Sequence, residues 1–343
     1  MKILLVGSNL SMAIERHYSK YLREMGADIH HYAAPDAVIE FVRKGIVNKV
    51  LFKAGVHSLY RQINREVKEI AASFKPDIIW VVKGMELYPE TIQYLSARFK
   101  TANYNPDHPF IIVSRGSGNR NVTESVPFYH LHFCYNGKLA EEIHNRFGIR
   151  TVFLPFAYEL SAAGFREAAA ENEINKLCFL GNPDSTRENT IGSLASQGFA
   201  IDVYGHGWTK RKLAGLSNVK VHDAVYGQAF WNRLRQYRVQ LNIFRAHNEG
   251  SHNMRSFEIP AVGGIQLAPY SQEQENFFES SRETIYYKGI HELSEKAAML
   301  LSWDSLRANE LRVAARERSL TPGYTYADRA ATVFGTFKEM MQW

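Results

Sequence analysis

The stretch of sequence that decides the fold is "SHNMRSFEIPAVGGIQLAP", residues 251–269. Three apolar residues in it recur at helical spacing: Met254, Phe257 and Ala261. That spacing predicts a short helix with one face toward a core, and Pro260, which lacks an N–H, keeps the helix short. Two glycines then lead into the strand-like run "IQLAP", and another such run, "QLNIF", precedes the loop. The stretch is therefore typical of the strand–helix–strand unit of a parallel sheet.

The same alternation extends along the whole chain, because short apolar runs are separated by segments of helical length. The first series of runs is "KILLV", "DIHHYA", "PDIIWVV", "FIIV", "YHLHFCYN" and "TVFLPF". The second series is "NKLCFLGN", "AIDVYGHGW", "NVKVHDAV", "YRVQLNIF", "GIQLAPY" and "TIYYKG". Continuous apolar runs are typical of parallel strands buried on both faces. We therefore predict an α/β protein with two Rossmann-like domains that face each other across a cleft.

The two series are separated by a stretch of low hydrophobicity, residues 157–175, which is rich in small and charged residues. A domain boundary at this stretch gives an N-terminal domain of residues 1–157 and a C-terminal domain of residues 174–326. Open parallel sheets bind ligands beyond the carboxyl ends of their strands. The expected ligand site is therefore the crevice between the two domains.

The composition excludes several classes of protein. The 343 residues are 45% hydrophobic and 22% charged, as in soluble globular proteins. The apolar runs are strand-sized, so we expect no membrane span, and the first one is too short for a secretory signal. Cys134 and Cys178 each lie in a strand-like run, which argues against a disulfide framework and a cysteine metal site. We predict a cytoplasmic protein.

The positive charge is concentrated in the N-terminal half. Residues 1–150 hold 20 Lys and Arg against 14 Asp and Glu, which accounts for the whole net charge of +6. The densest segment, "FVRKGIVNKVLFK" at residues 41–53, mixes cations with large apolar residues. A solvated helix is the interpretation we prefer, and peripheral contact with an anionic membrane or an anionic substrate is the alternative. No nucleic-acid motif is present, so we expect no nucleic-acid partner.

A second loop in the C-terminal half has the features of an anion site. "GNPDSTRE", residues 181–188, follows the first strand of that half and opens a helix. Gly181 allows the backbone to approach a ligand, Asn182 follows it in the turn, and the helix start offers free N–H groups. Arg187 adds a fork-shaped donor for phosphate oxygens. A plain turn and helix cap is the alternative interpretation.

Arg255 and Glu258 give the opening stretch a chemical interpretation. They are three residues apart and share one face of the predicted helix. That helix begins at the carboxyl end of a strand, so its free N–H groups suit a diphosphate. Glu258, one turn further in, suits the two hydroxyls of a ribose. The alternative is an Arg255–Glu258 surface pair on a helix that only packs.

The sequence does not indicate a metal site. Asp-x-Asp, the usual carboxylate pair for a metal-bridged diphosphate, occurs nowhere in the chain. Helix dipoles and arginines would then have to stabilise a leaving diphosphate. His130 and His132 share one strand face, but two imidazoles without a third ligand more often pack in a core.

The residues on the acceptor side are less distinctive. If the reaction inverts configuration, a base must deprotonate the acceptor hydroxyl, and Asp107 and His17 are our candidates. A turn aspartate and an ordinary helix histidine are the alternatives, and a retaining reaction needs no such base. Gly7, Ser8 and Asn9 follow the first strand and are expected to border the cleft. Trp208, in "GHGW" after a strand of the second half, is predicted to stack on a ring of the ligand.

The chain resembles the CgeB-type glycosyltransferases, the spore-maturation-protein group of GT-B transferases. The similarity covers most of residues 75–335 and rests on "FLGNPDSTR", "VYGHGW", "LNIFR", "SHNMRSFEIPAVGGIQLAP", "FFESSRETIYY", "ELSEKAAMLL" and "RSLTPGYTYADR". It implies transfer of a sugar from a nucleotide-diphosphate sugar, UDP- or dTDP-linked, to a glycan, protein or small-molecule acceptor. It implies no cofactor. The C-terminal domain would hold the donor and the N-terminal domain the acceptor.

The resemblance also assigns roles to residues of this sequence. Glu258 would bind the ribose, and Arg255 would lie beside the diphosphate. The backbone beside the diphosphate would come from His252, Asn253, Met254, Arg255 and Ser256. Gly181, Asn182 and Arg187 would line the same site. The last helix, about residues 327–343, would cross back to the N-terminal domain.

Two other functions remain compatible with the sequence. A nucleotide-sugar epimerase has the same two-domain architecture and would need no acceptor. A non-catalytic sugar-binding or structural protein could keep the fold, although such a role requires neither Arg255 nor Glu258.

Overall fold

A computed structural model describes residues 1–54, 58–112, 116–210, 212–245 and 249–342. The chain forms two compact units. The first unit is discontinuous in sequence and consists of Met1–Pro155 together with Tyr326–Trp343, and the second unit is the continuous segment Phe156–Thr325.

The first unit contains a six-stranded parallel sheet in the order β2-β1-β3-β4-β5-β6. Its strands are β1 Lys2–Val6, β2 Asp28–Tyr32, β3 Ile78–Val82, β4 Lys100–Asn105, β5 Leu131–Cys134 and β6 Arg150–Phe153. Ile3 lies opposite Ile29 on one side and Ile78 on the other, and all three side chains are buried. The apolar runs of the sequence thus form the centre of the sheet, where both faces are covered.

Helices cover both faces of this sheet. They are α1 Ile14–Glu24, α2 Ala34–Arg43, α3 Ile46–Ala54, α4 Leu59–Phe74, α5 Pro89–Ser96, α6 Arg120–Ser125, α7 Gly137–Phe147 and, from the end of the chain, α15 Tyr326–Met340. Helix α15 packs beside α1. Its Phe337 ring lies 5.6 Å from the ring of Trp80 and 5.7 Å from that of Phe133, so α15 completes the core of the first unit.

The second unit repeats the architecture with a six-stranded parallel sheet in the order β12-β11-β10-β7-β8-β9. Its strands are β7 Ile174–Leu180, β8 Ile201–Tyr204, β9 Val219–His222, β10 Tyr237–Leu241, β11 Gln266–Pro269 and β12 Ile285–Tyr287. Its helices are α8 Ala162–Ala169, α9 Ser185–Ser196, α10 Gly227–Gln236, α11 Arg255–Ala261, α12 Gln272–Glu275, α13 Ile290–Ser302 and α14 Ser305–Ser319. The chain connections reverse direction between β7 and β10, which are neighbours in the sheet.

The chain enters and leaves the second unit at points that are bonded to each other. The backbone N–H of Tyr158 donates to the carbonyl of Tyr324 at 3.2 Å, and Tyr158 forms a parallel bridge with Thr325. The hydroxyl of Tyr158 also donates to the carbonyl of Ser319 at 2.9 Å. The two ends of the second unit are therefore held side by side.

The two parallel sheets confirm the predicted α/β class, but one predicted strand is wrong. Residues 110–112 of the run "FIIV" are loop residues, and residue 113 lies outside the described part of the chain. The fourth strand is instead Lys100–Asn105, with the polar sequence "KTANYN". Asn103 is hydrogen-bonded within the sheet, since its Nδ2 donates to the carbonyl of Val81 at 3.0 Å, whereas the buried Nδ2 of Asn105 has no partner among the described residues. Hydrogen bonding allows this strand to be buried without an apolar sequence.

The helical region near the end of the second unit is divided in two. Residues 290–319 form the helices α13 and α14. Trp303 has extended backbone, and the Asp304 carboxylate caps α14 by accepting from the N–H of Arg307 at 2.8 Å. An aspartate cap in the middle of a helical pattern is a start signal that the apolar spacing conceals.

In the part of the chain that the structure describes, every helix is too short or too polar to cross a lipid bilayer.

Candidate functional site

The second unit brings several of the predicted residues to one edge of its sheet. The loops that follow β7, β10, β11 and β12 all lie at the carboxyl edge, where the strand order reverses between β7 and β10. Sheets of this kind bind ligands at that reversal point. The loop after β7 carries Gly181 to Arg187, and the loop after β10 leads into α11 with Arg255 and Glu258.

Glu258 lies on α11 and is only 8% exposed. One of its carboxylate oxygens, Oε2, accepts from the guanidinium of Arg255. That guanidinium also stacks over Phe230 at 4.4 Å from the ring centroid. Among the described residues, the buried Nε–H of Arg255 has no hydrogen-bond partner. The pair is thus half-buried at the edge of the sheet rather than on an open surface, and Arg255 keeps an unused donor.

Arg187 is fixed by backbone carbonyls of two loops. Its Nε donates to the carbonyl of Ile243 at 3.2 Å, and its Nη1 donates to that of Asn182 at 2.9 Å. Burial, together with the positive charges of Arg245 and Arg255, lowers the pKa of Arg187 to about 10, against an opposing effect of Asp184. Arg245 and Arg255 are therefore both close enough to repel the guanidinium group of Arg187. An anion between them would relieve that repulsion.

A pocket of about 460 Å³ opens at the same edge of the sheet. It lies within the size range of small-molecule sites. It is lined by Thr186, Thr190, Ile243, Phe244, Arg245, Glu249, Gly250, Pro269, Tyr270, Tyr287, Lys288 and Gly289. The Nζ of Lys288 lies 4.6 Å from the ring centroid of Tyr270, so an aromatic surface and a cation are adjacent. Our sequence interpretation missed this pocket, although "PY" and "YKG" end two of the predicted strand runs.

A network of buried polar side chains holds the start of α11. Asn242 Nδ2 donates to Ser256 Oγ at 3.2 Å and to Gln266 Oε1 at 3.1 Å, while Ser256 Oγ donates to Gln274 Oε1 at 2.8 Å. Asn253 Nδ2 donates to Asn242 Oδ1 at 2.8 Å. Side chains that satisfy one another in this way define a single geometry. We predicted the backbone of Ser256 beside a diphosphate; its hydroxyl is used within the protein, and its N–H donates to the carbonyl of Asn253 at 3.1 Å.

His252 is also a fixed part of this loop. Its Nε2 accepts from the backbone N–H of Phe156 at 3.2 Å, and its Nδ1 lies 2.6 Å from a carboxylate oxygen of Glu273. Because Nε2 accepts, the proton must be on Nδ1 and the ring is neutral. The imidazole is fully buried, whereas Asn253 and Met254 are half-buried. Any role of residue 252 toward a ligand therefore belongs to its backbone.

The loops after β7 and β8 touch each other closely. A Cβ on Gly205 would lie 2.3 Å from the carbonyl oxygen of Gly181, so only glycine fits there. The N–H of His206 donates to Asn182 Oδ1 at 2.9 Å, which ties the two loops together. Our prediction that Trp208 stacks on a ligand is not supported by its position. Its ring is fully buried, and its Nε1 donates to the Gly181 carbonyl at 2.7 Å.

In the first unit, the loop Gly7–Asn9 is occupied by the chain's own carboxylates. The N–H of Ser8 donates to Glu15 Oε1 at 2.9 Å, and its hydroxyl donates to Asp36 Oδ1 at 2.6 Å. The N–H of Asn9 donates to Asp36 Oδ2 at 2.9 Å. This loop therefore differs from a phosphate-binding turn, in which the N–H groups would be free for an anion.

The two predicted bases both have partners within the first unit. Asp107 Oδ2 lies 2.7 Å from Lys83 Nζ in a half-buried ion pair. The ring of His17 stacks on that of Tyr326, with centroids 4.8 Å apart and planes 16° from parallel. His17 and Asp107 thus each have a defined contact besides any role toward a substrate.

Two buried carboxyl groups that we did not predict lie near each other in the first unit. Glu15 and Glu86 are both buried, and burial raises the pKa of each, that of Glu86 to about 7. Lys83 lowers and Asp36 raises the pKa of both groups. A carboxyl group that titrates near neutral pH is suited to general base catalysis. Glu86 follows β3 in "VVKGME", and no spacing in the sequence distinguishes it from a surface glutamate.

His130 and His132 are hydrogen-bonded in the first unit. His130 Nδ1 lies 3.0 Å from the hydroxyl of Thr101, and His132 Nε2 lies 2.9 Å from the carbonyl of Val126. Burial lowers the pKa of His132 to about 4. Within the described ranges, no three His, Cys, Asp or Glu side chains are grouped as a metal site would require.

The geometry can be compared with known proteins. Residues 187–335 match a family model described as glycosyl transferase-like. This match includes Arg187, Arg245, Arg255 and Glu258. No functionally curated protein matches the sequence.

Solved structures resemble the chain over nearly its full length. Sucrose-phosphate synthase from Thermosynechococcus elongatus has a TM-score of 0.71 at 11% identity, covering 100% of this chain and 99% of that one. The α,α-trehalose 6-phosphate synthase from Burkholderia multivorans has a TM-score of 0.67 at 11% identity, covering 99% of both chains. UDP-GlcNAc 2-epimerase from Neisseria meningitidis, bound to UDP-GlcNAc, has a TM-score of 0.59 at 11% identity, covering 99% and 100%. The chain has the fold of the GT-B glycosyltransferases.

Proposed function

We propose that the protein is a glycosyltransferase that moves a sugar from a nucleotide-diphosphate sugar, UDP- or dTDP-linked, to a glycan, protein or small-molecule acceptor. We further propose that it belongs to the CgeB type, as its motifs suggest. One observation carries the proposal. Arg245 and Arg255 both lie close to Arg187, Arg255 pairs with the buried carboxylate of Glu258, and Arg245 lines a pocket of about 460 Å³. The match of residues 187–335 to a glycosyl transferase-like family supports it.

The arrangement suggests how the donor would bind. The diphosphate would lie among the three arginines, where charge-assisted hydrogen bonds are strong and the unused Nε–H of Arg255 gains an acceptor. Arg255 holds Oε2 of Glu258, which leaves Oε1 for the ribose hydroxyls. The uracil or thymine ring of the donor would enter the pocket, where Tyr270 and Lys288 offer an aromatic surface and a cation.

Chemically, the site would stabilise the leaving nucleoside diphosphate. Negative charge develops on the diphosphate as the glycosidic bond breaks, and preorganised cations lower the barrier at that point. The arginines supply this charge in our proposal, so transfer requires no divalent metal. Glycosyl transfer in the presence of a chelating agent should therefore proceed at an unchanged rate.

The acceptor would bind in the first unit. If the reaction inverts configuration, Glu86 is a further candidate for the base beside Asp107 and His17, because its buried carboxyl group has a pKa of about 7. Asp107 is already paired with Lys83 at 2.7 Å. A substitution series at these three positions, measured against pH, would distinguish them.

Isothermal titration of the purified protein with UDP, dTDP, GDP and ADP tests the proposal. We expect one uracil or thymine nucleotide to bind at least tenfold more tightly than the others. A protein that binds none of the four has no nucleotide-diphosphate site, and the proposal would then be abandoned.

A nucleotide-sugar 2-epimerase is the second candidate, because the structure bound to UDP-GlcNAc covers 99% of this chain. Proton NMR of the UDP-sugar incubated with the protein separates the two functions. An epimerase converts the sugar while it stays attached to the nucleotide, and it needs no acceptor. A transferase releases UDP and is accelerated by its acceptor.

A further inference from the structure

Helix α3 in the first unit exposes an unusual number of apolar side chains. Ile46 is 79% exposed, Val47 65%, Val50 60% and Leu51 36%. These positions follow the helical spacing i, i+1, i+4 and i+5, so the four side chains share one face. Isolated apolar residues on a surface are ordinary, but a contiguous apolar face marks an interaction site.

The opposite side of α3 is anchored to its own unit. The ring of Phe52 packs edge-on against Tyr60 with centroids 6.1 Å apart, and Asn48 Nδ2 donates to the carbonyl of Phe41 at 3.1 Å. The orientation of α3 is therefore fixed by contacts. The apolar face is directed outward as a consequence.

Cations border this face. Arg43, Lys44 and Lys49 are all exposed. Residues 41–53 contain four basic residues and no acidic one, and the nearest acid, Glu40, lies 3.7 Å from Lys44. An apolar face surrounded by positive charge is complementary to an anionic membrane, since the cations meet lipid headgroups while the apolar side chains enter the acyl boundary.

We propose that the exposed face of α3, with its bordering cations, docks the protein on anionic phospholipid membranes. A second copy of the chain fits this face less well, because two such faces would bring eight basic residues of the 41–53 segments together. Glu40 pairs with Lys44, and the remaining basic charge of the segment is complementary to an anionic partner. The proposal rests on the surface of the first unit and is independent of the proposed glycosyl transfer.

Co-sedimentation of the full-length protein with vesicles tests the proposal. We expect binding to vesicles of phosphatidylserine and phosphatidylcholine in equal parts, and at least tenfold weaker binding to pure phosphatidylcholine. Two double variants separate the contributions. Ile46→Ser with Val50→Ser removes apolar insertion, and Lys44→Ser with Lys49→Ser removes charge, so each should weaken binding at least tenfold.

The matched control is Leu306→Ser with Val313→Ser on α14, which removes two exposed apolar residues of the second unit. This control should bind the mixed vesicles as the unaltered protein does, and circular dichroism should show that every variant is folded. Three results would overturn the proposal: no binding of the unaltered protein to the mixed vesicles, unchanged binding of the Ile46/Val50 variant, or an Ile46/Val50 variant that only converts a dimer into a monomer in sedimentation velocity.

Discussion

The buried carboxylate of Glu258 is the residue on which the donor site depends most. We predict that Glu258→Gln weakens binding of the preferred nucleoside diphosphate by about 10- to 100-fold, because a charged hydrogen bond to a hydroxyl contributes about 1.5–3 kcal/mol. Isothermal titration calorimetry measures this directly. The substitution is nearly isosteric, so the fold should survive it.

The chain offers a matched control for this substitution. Glu279 pairs with Arg282 at the same spacing of three residues, but both side chains are well exposed. Glu279→Gln should leave nucleotide affinity unchanged. Equal affinities of the Glu258 and Glu279 variants would remove the ribose assignment and favour the alternative in which Arg255–Glu258 is only a structural pair.

Glu86 gives the first unit a pH-dependent stability. Burial raises its pKa from 4.5 to about 7, so the folded state favours the protonated carboxyl. The stabilisation is fully present below pH 4.5 and is lost as the pH rises through 7. Between pH 5 and pH 8, the unaltered protein should therefore lose up to about 3 kcal/mol more unfolding free energy than Glu86→Gln. Urea unfolding at the two pH values measures the difference.

Glu90 serves as the comparison, since it lies one turn further along the chain and is exposed. Glu90→Gln should follow the pH dependence of the unaltered protein. If Glu86→Gln does so as well, the Glu86 carboxyl is ionised in the folded state at neutral pH and is a poor candidate for a base.

Only part of the site could be predicted from individual residues. The spacing of Met254, Phe257 and Ala261 predicted the helix that carries Arg255 and Glu258, because helical periodicity is a local property. Glu86 was missed because burial depends on elements distant in sequence. Trp208 was predicted to face a ligand, yet its ring is buried under the Gly181 loop. The local sequence does not indicate whether a tryptophan ring contacts a ligand or fills the core.

At the scale of elements, the close approach of the loops after β7 and β8 shapes the site. Gly205→Ala would place a methyl group 2.3 Å from the carbonyl oxygen of Gly181, which belongs to the backbone of the facing loop. One of the loops must move. We predict a loss of about 1–3 kcal/mol in unfolding free energy, which is the usual cost of overpacking, together with weaker nucleotide binding. Thermal unfolding and calorimetry measure the two effects.

Gly215→Ala is the control in the same unit, because nothing lies within 4 Å of a Cβ at that position. Its stability should stay within about 0.5 kcal/mol of the unaltered protein. A Gly205→Ala variant with unaltered stability and affinity would show that the two loops adjust freely and do not define the site.

The strands differ in how well the sequence predicts them. Eleven of the twelve correspond to apolar runs, since a strand covered on both faces is apolar along its length. The exception, Lys100–Asn105, is buried with Thr101, Asn103 and Asn105 inside the sheet. Thr101 and Asn103 are hydrogen-bonded to neighbouring elements, and a pattern based on hydrophobicity does not detect such pairing. We predicted the apolar run "FIIV" as the fourth strand instead.

For the whole molecule, ligand binding should be confined to one unit. We predict that the preferred nucleotide slows hydrogen exchange in the loops after β7, β10, β11 and β12 of the second unit. Amide exchange in α1 to α7 of the first unit should remain unchanged by the nucleotide alone, because the donor residues all belong to residues 156–325. Mass spectrometry of peptides locates the protected segments.

Protection that appears only around the Gly7–Asn9 loop would place the nucleotide in the first unit and contradict the assignment. The two-sheet organisation itself was predictable, because alternation of strand and helix repeats twice along the chain. The acceptor site was not, since Glu15 and Asp36 accept from the backbone amides of Ser8 and Asn9, in the loop that we expected only to border the cleft.

The bond between Tyr158 and Tyr324 has a consequence for the order of events during synthesis. The second unit is continuous, so it can close on itself as soon as residue 325 has left the ribosome. The first unit must wait for α15, which follows the second unit in the chain. Tyr158 and Tyr324 then hold the two ends of the second unit together, so α15 begins close to residue 155. The entropic cost of bringing α15 to α1 is therefore that of closing a short loop instead of a long one.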